Sequence, residues 1–95
     1  MKQYSIRYTT ALENTLKENG YRLVNYSDFG GRQLRSCQAW TVKGEIEDQT
    51  TGEVIPVDIL QSYNTLVAYK LNGETIRCGK WSSTTSKQTS QWARS

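Results

Sequence analysis

Any chemistry done by this chain must be done without histidine, which is absent. That removes His-based triads, the commonest general base and the commonest metal ligand together. Of the two thiols, Cys37 and Cys78, the second has Arg77 and Lys80 close in sequence. Neighbouring cations lower a thiol pKa and can make a nucleophile, although a small packing residue in a strand accounts for the same position. Glu45 and Glu47 stand two apart, so on a strand both carboxylates share one face. Such a pair could hold a cation or act as acid and base; a solvated strand face is the simpler reading. Neither the cysteines nor the acids have metal-ligand spacing. Gly30-Gly31 is followed by no Walker or dinucleotide fingerprint. The residues therefore point away from an enzyme, with no cofactor and no metal.

What remains is recognition. Lys and Arg number 12 against 9 Asp and Glu, a net charge of +3, and the signs are segregated. Glu45, Glu47, Asp48, Glu53 and Asp58 form an acidic block that contains no Lys or Arg. From Ile76 to Ser95 there are Arg77, Lys80, Lys87 and Arg94 and no acid, while Arg22, Arg32 and Arg35 form a second basic group. A mixed, solvated surface is the plain reading. The sharper one is a basic face for an anionic partner, either nucleic acid or an acidic protein surface. Within that face the Ser/Thr-rich run from Ser82 to Ser90, with Thr84 and Thr85 between Lys80 and Lys87, is the best phosphate contact on offer; a structural cap and turn is the simpler reading of it. Tyr21, Tyr26, Trp81 and Trp92 interleave with the basic residues, as nucleic-acid binding requires. No RNP motif, zinc finger or helix-turn-helix accompanies them. The acidic block is the alternative surface, able to imitate nucleic-acid phosphates.

The elements that position these groups follow from periodicity. Thr10-Ala11-Leu12-Glu13 has the form of a capping box, Leu12 and Leu16 lie one turn apart, and Gly20 fits a left-handed stop, so the spacing predicts a helix from Ala11 to Asn19. Tyr4 to Tyr8 reads as a short strand. Tyr21 to Ser27 alternates, with Tyr21, Leu23 and Asn25 on one face and Arg22, Val24 and Tyr26 on the other. Cys37 to Asp48 alternates again, with Trp40, Val42, Gly44 and Ile46 inward. A polar loop from Asp48 to Glu53 returns the chain as Val54 to Leu60, where Pro56 marks an edge or a bulge. Tyr63 to Leu71 is apolar on both faces and reads as a central strand, with Tyr63, Val67 and Tyr69 on one side and Leu66 and Ala68 on the other. Asn72-Gly73 is a type I′ hairpin signal, and Glu74 to Cys78 pairs back. Thr84 to Arg94 lacks strand alternation; Gln88 and Trp92 one turn apart predict a helix that depends on Trp92 docking, since Ser and Thr are poor helix formers. The sum is one α+β domain, residues 1–95. It has an N-terminal helix, a four- to five-stranded mostly antiparallel sheet, and a C-terminal helix packed on the sheet. Both helices are expected on one face.

At 95 residues the core is small, and Tyr and Trp must supply much of it. The first residues, Met1 to Arg7, have no apolar signal region, and no run is long enough to span a bilayer. The expected compartment is the cytoplasm, where the two cysteines would be free thiols.

The words Ser62-Tyr63-Asn64-Thr65-Leu66-Val67-Ala68 and Trp81-Ser82-Ser83-Thr84-Thr85-Ser86-Lys87 resemble a group of small phage, prophage and plasmid proteins. In that group a SYxTxVA strand is followed by a hairpin, then (W/Y)SxTTxxH and a helix ending in an aromatic. The resemblance spans roughly residues 60 to 94. Tyr63, Thr65, Val67, Ala68, Thr84, Thr85 and Trp92 match, and Gln88 stands where the group has histidine. The resemblance implies a mobile-element protein in a host cytoplasm, and the glutamine favours a structural role at that position. The expectation is a non-enzymatic protein that binds a host macromolecule, by analogy with proteins that block a defence nuclease, as anti-CRISPR proteins do. Direct nucleic-acid binding is the alternative, and a phage structural or assembly role a weaker one.

Overall fold

The computed structural model describes residues 8–26, 32–33, 39–63, 65–79 and 83–94, with the backbone alone at 32, 33, 83, 84 and 86. The elements are α1 (Thr10–Glu18), β1 (Tyr21–Tyr26), β2 (Arg32–Gln33), β3 (Ala39–Asp48), β4 (Val54–Ser62), β5 (Thr65–Leu71), β6 (Glu74–Arg77) and α2 (Ser83–Ala93). The expected strand from Tyr4 lies outside the described residues except for Tyr8, which makes a parallel bridge to Thr65. Gly30-Gly31 and Cys37 also lie outside them.

The first helix starts one residue earlier than its capping box implies. Thr9, not Thr10, is the N-cap; its carbonyl accepts the Glu13 N–H at 2.8 Å and its hydroxyl donates to Glu13 Oε2 at 2.8 Å. The Thr–Glu pairing survives with a spacing of four, so the reciprocal bonds of the box are not made. Gly20 ends the helix at φ 85, as its position after Asn19 requires.

The strands pair antiparallel in the order β1-β3-β4-β5-β6, and β2 also pairs with β3. β1 meets β3 at Gly44–Asp48 and β2 meets it at Trp40–Thr41, so the two share one edge of β3. Asn72 and Gly73 have φ of 54 and 81, both positive, as a I′ turn demands. Pro56 pairs with Glu45 on β3, whereas β5 joins β4 only from Asp58 onward. At Pro56 the strand is therefore locally an edge, although β4 as a whole is interior.

Two bulges move side chains from the faces that strict alternation assigns. Leu23 pairs with Ile46 and Asn25 with Glu45, so Val24 is the extra residue, left 42% exposed. Past it the phase reverses, and Tyr26 joins Tyr21 and Leu23 against the core instead of opposing them. In β5, Leu60 pairs with Ala68 and Gln61 with Leu66, which leaves Val67 as the extra residue. Leu66 and Tyr69 consequently share a face, and Val67 lies with Ala68, the reverse of the alternating assignment.

The helices cover opposite faces, not one. Leu12 and Leu16 of α1 pack with Val42, Ile46, Val57, Ile59, Leu66 and Tyr69. Trp92 of α2 packs with Ala39, Leu60, Val67 and Ala68. Ile59 and Leu60 are adjacent in one strand and so point to opposite sides. The second face of β5 thus carries a second, smaller core.

Gly44 sits where β1 crosses closest. A Cβ there would lie 2.5 Å from Ile59 Cδ1 and 3.1 Å from the Asn25 carbonyl oxygen. Gly44→Ala is expected to destabilise the fold by about 1–3 kcal/mol through overpacking, read as a lower midpoint in urea denaturation.

Candidate functional site

The buried stripe of α2 is unusual in its polarity. Thr85, Gln88, Thr89 and Trp92 fall at helical spacing and all are buried. Ser62 Oγ, buried at the end of β4, donates to Gln88 Oε1 at 2.7 Å and lies 3.2 Å from Thr85 Oγ1. Thr89 Oγ1 donates back to the Thr85 carbonyl at 2.9 Å. Trp92 Nε1 donates to Thr41 Oγ1 at 2.9 Å, and Lys70 Nζ stands 4.6 Å from the centre of the Trp92 ring. The helix is thus docked by hydrogen bonds at its start and by one large ring at its end.

This docking turns the opposite side of α2 outward. Lys87, Ser90 and Arg94 are spaced to share a face, and the Arg94 N–H donates to the Gln91 carbonyl at 3.2 Å, continuing the last turn. Arg77 reaches across from β6 and donates from Nη2 to Ser90 Oγ at 3.0 Å. Arg77 thus contacts Ser90 directly, and Lys87 and Arg94 lie about one helical turn to either side of it. Arg77, Lys87 and Arg94 are exposed. Thr85, counted as a contact residue from sequence, is instead buried in the docking seam and cannot serve on the surface. The side chains of Arg32 and Thr84, and all of Arg35, Lys80 and Trp81, lie outside the described residues.

The acidic block is less free than its sequence implies. Glu47 accepts from Arg22 at 2.8 Å and from Gln49 at 3.1 Å, and the Arg22 bond holds its carboxyl below the usual value. Asp58 is bridged by Lys43 at 2.7 Å. Asp48 Oδ1 accepts the N–H groups of Thr50 and Thr51 at 2.8 and 3.3 Å, shaping the β3–β4 turn. Glu45 and Glu53 are the exposed remainder. Two of the five acids are thus paired with a cation across strands.

Cys78 is also changed by its surroundings. It is fully buried, and burial pushes its thiol up to about 11 despite a hydrogen bond with Thr15. Arg77 turns away toward Ser90, so the activation suggested by sequence proximity is reversed. Burial likewise raises the Tyr69 hydroxyl, which accepts from Asn19 Nδ2 at 3.3 Å. Among the described residues no three Cys, Asp or Glu side chains come together as metal ligands, and no helix is long and apolar enough to cross a membrane.

Residues 7–95 match the model of a family of unknown function, DUF8033. The chain belongs to that family. No curated protein and no solved structure matches it. The match spans both cores of this DUF8033 member, and so covers both helices and the whole sheet.

Sequence reasoning missed the Ser62–Gln88 contact, although both residues lie in or beside the paired words; two polar side chains at separate sites give no periodic signal. Ser62→Ala leaves the buried Gln88 carbonyl oxygen without its donor and is expected to cost about 1–3 kcal/mol in chemical denaturation. For Cys78 the folded thiol holds its proton above the ordinary value of 9.0, so its contribution is present below pH 9 and is lost as pH rises toward about 11. The stability difference between the native chain and Cys78→Ala should therefore shrink between pH 8 and pH 10.5; an unchanged difference would show an ordinary thiol.

Proposed function

We propose that this chain is a non-enzymatic binding protein of a phage or other mobile element, which acts by occupying an anionic surface of a host protein. A defence nuclease is the kind of target meant. The observation that carries the reading is the β6–α2 edge, where Arg77 bonds Ser90 and the exposed Lys87 and Arg94 lie a turn to either side, in a segment that contains no acid from Ile76 onward. Arg77 is held by Ser90 before any partner arrives, which lowers the ordering cost of contact. Lys87 and Arg94 keep their charges in water and would steer association. The mobile-element source is supported by the paired words SYNTLVA and WSSTTSK; glutamine at position 88, where that group has histidine, bonds to Ser62 of the sheet and so supports a structural role there.

The chemistry candidates give little support to catalysis. Cys78 is buried and protonated, and Glu47 is engaged by Arg22 and Gln49. The pairing of Glu47 with Arg22 and of Asp58 with Lys43 weakens the acidic block and favours the basic edge as the contact surface.

The test is capture from native host lysate by the immobilised chain, with identification by mass spectrometry. Lys87→Glu combined with Arg94→Glu should lower recovery of the target by roughly tenfold or more while leaving the thermal midpoint unchanged, since both side chains are exposed. Recovery of phage structural proteins alone would count against the proposal. Tight binding of labelled DNA or RNA that weakens steeply with salt, with no host protein captured, would replace it with direct nucleic-acid binding.

A further inference from the structure

The molecule divides unevenly between its two cores. The larger one joins α1 to the sheet through Leu12, Leu16, Ile59 and Tyr69, and no described side chain of α2 belongs to it. The ladders of the sheet run from β1 to β6 without α2. Lifting α2 away would therefore leave the ladders and the larger core in place. It would uncover only the small apolar surface of Ala39, Leu60, Val67 and Ala68.

What holds α2 down is correspondingly slight. Trp92 supplies the large apolar contact, and Thr85, Gln88 and Thr89 fill the rest of the seam. The bonds of Ser62 with Thr85 and Gln88, and of Trp92 with Thr41, exchange for bonds to water when the helix leaves, so each contributes little net. Against them stands the ordering of 11 residues rich in Ser and Thr.

Charge opposes docking as well. Docking brings Arg77 Nη2 to 3.0 Å from Ser90 Oγ, with the exposed Lys87 and Arg94 a turn to either side. No acid occurs from Ile76 onward to offset these cations. Among the described residues the ion pairs are Arg22–Glu47 and Lys43–Asp58, and neither involves them. When α2 leaves the sheet, Lys87 and Arg94 move away from Arg77 and the repulsion falls.

We infer that α2 is a strap, which lifts from the sheet as a unit at far lower cost than global unfolding and is held down when a carboxylate-rich protein surface occupies the basic edge. The holding-down rests on the reading of that edge as the contact surface and adds its regulation, because the edge is assembled only while α2 is docked. A ligand that binds the docked state alone shifts the opening equilibrium by its occupancy.

Amide hydrogen exchange on the native chain tests the strap directly. The amides of Gln88, Thr89, Ser90 and Trp92 should exchange about a hundredfold faster, relative to their intrinsic rates, than those of Ile59 and Tyr69. Raising sodium chloride from about 20 to about 200 mM should slow the α2 amides roughly threefold, as screening relieves the repulsion. Ser90→Asp gives Arg77 an acid partner and should slow them roughly fivefold at the lower salt. Hexa-aspartate should slow them more than sodium chloride of equal ionic strength. Exchange of α2 together with the sheet, acceleration by salt, or faster exchange in Ser90→Asp would each overturn the inference. So would oligothymidylate slowing α2 where hexa-aspartate does not. The edge reading can fail separately. If α2 responds as expected but Lys87→Glu/Arg94→Glu captures host protein as well as the native chain does, the strap stands and the basic-edge reading falls. If capture depends on those charges while α2 exchanges with the sheet, only the strap falls.

Discussion

The outer half of the molecule hangs on Trp92. α2 is rich in Ser and Thr, which form helices poorly, and at 11 residues it is too short to persist alone. Trp92 is its only large apolar side chain, and it closes the smaller core with Ala39, Leu60, Val67 and Ala68. The indole N–H is satisfied by Thr41, so burial of the ring leaves no polar atom stranded. Everything that α2 presents to solvent, including the rim around Ser90, depends on that single docking. The polar contacts of Ser62 with Thr85 and Gln88 then fix which way the helix is turned about its axis.

The sheet can receive Trp92 because of one extra residue. Without the Val67 bulge, β5 would alternate strictly, and Leu66 and Tyr69 could not both face α1 while Val67 and Ala68 face α2. The bulge decides which residues of this seven-residue strand face which core. It also places the Val67 carbonyl to accept the Cys78 N–H at 2.9 Å, which carries the chain past β6 toward the helix.

Much of this architecture was legible in the sequence. Leu12 and Leu16, the alternation of Val42, Gly44 and Ile46, the Asn72-Gly73 turn and the pairing of Gln88 with Trp92 each announce an element through period or turn chemistry. The bulges at Val24 and Val67 were not legible, since an inserted residue looks like any other until its partner strand is known. The two-sided packing was hidden for a related reason: the buried stripe of α2 is mostly polar, so it carries no hydrophobic period to assign it a face. At the candidate site, the clustering of Arg77, Lys87 and Arg94 could be read from the acid-free run. The neutralisation of Glu47 and Asp58 could not, because Arg22 and Lys43 reach them across strands and not along the chain.

The strand order has a consequence for the behaviour of the molecule in a crowded cell. One edge of the sheet is β6, only four residues long and bounded by Glu74 and Arg77. The other is divided between β1, which the Val24 bulge twists, and the two-residue β2. The ladders joining β3, β4 and β5 are interior except where β4 runs past β5 at residues 54–57, the stretch that carries Pro56. Among the described residues, another chain seeking to extend the sheet therefore meets borders that are short, bulged, charged or interrupted by Pro56, each of which opposes edge-to-edge pairing.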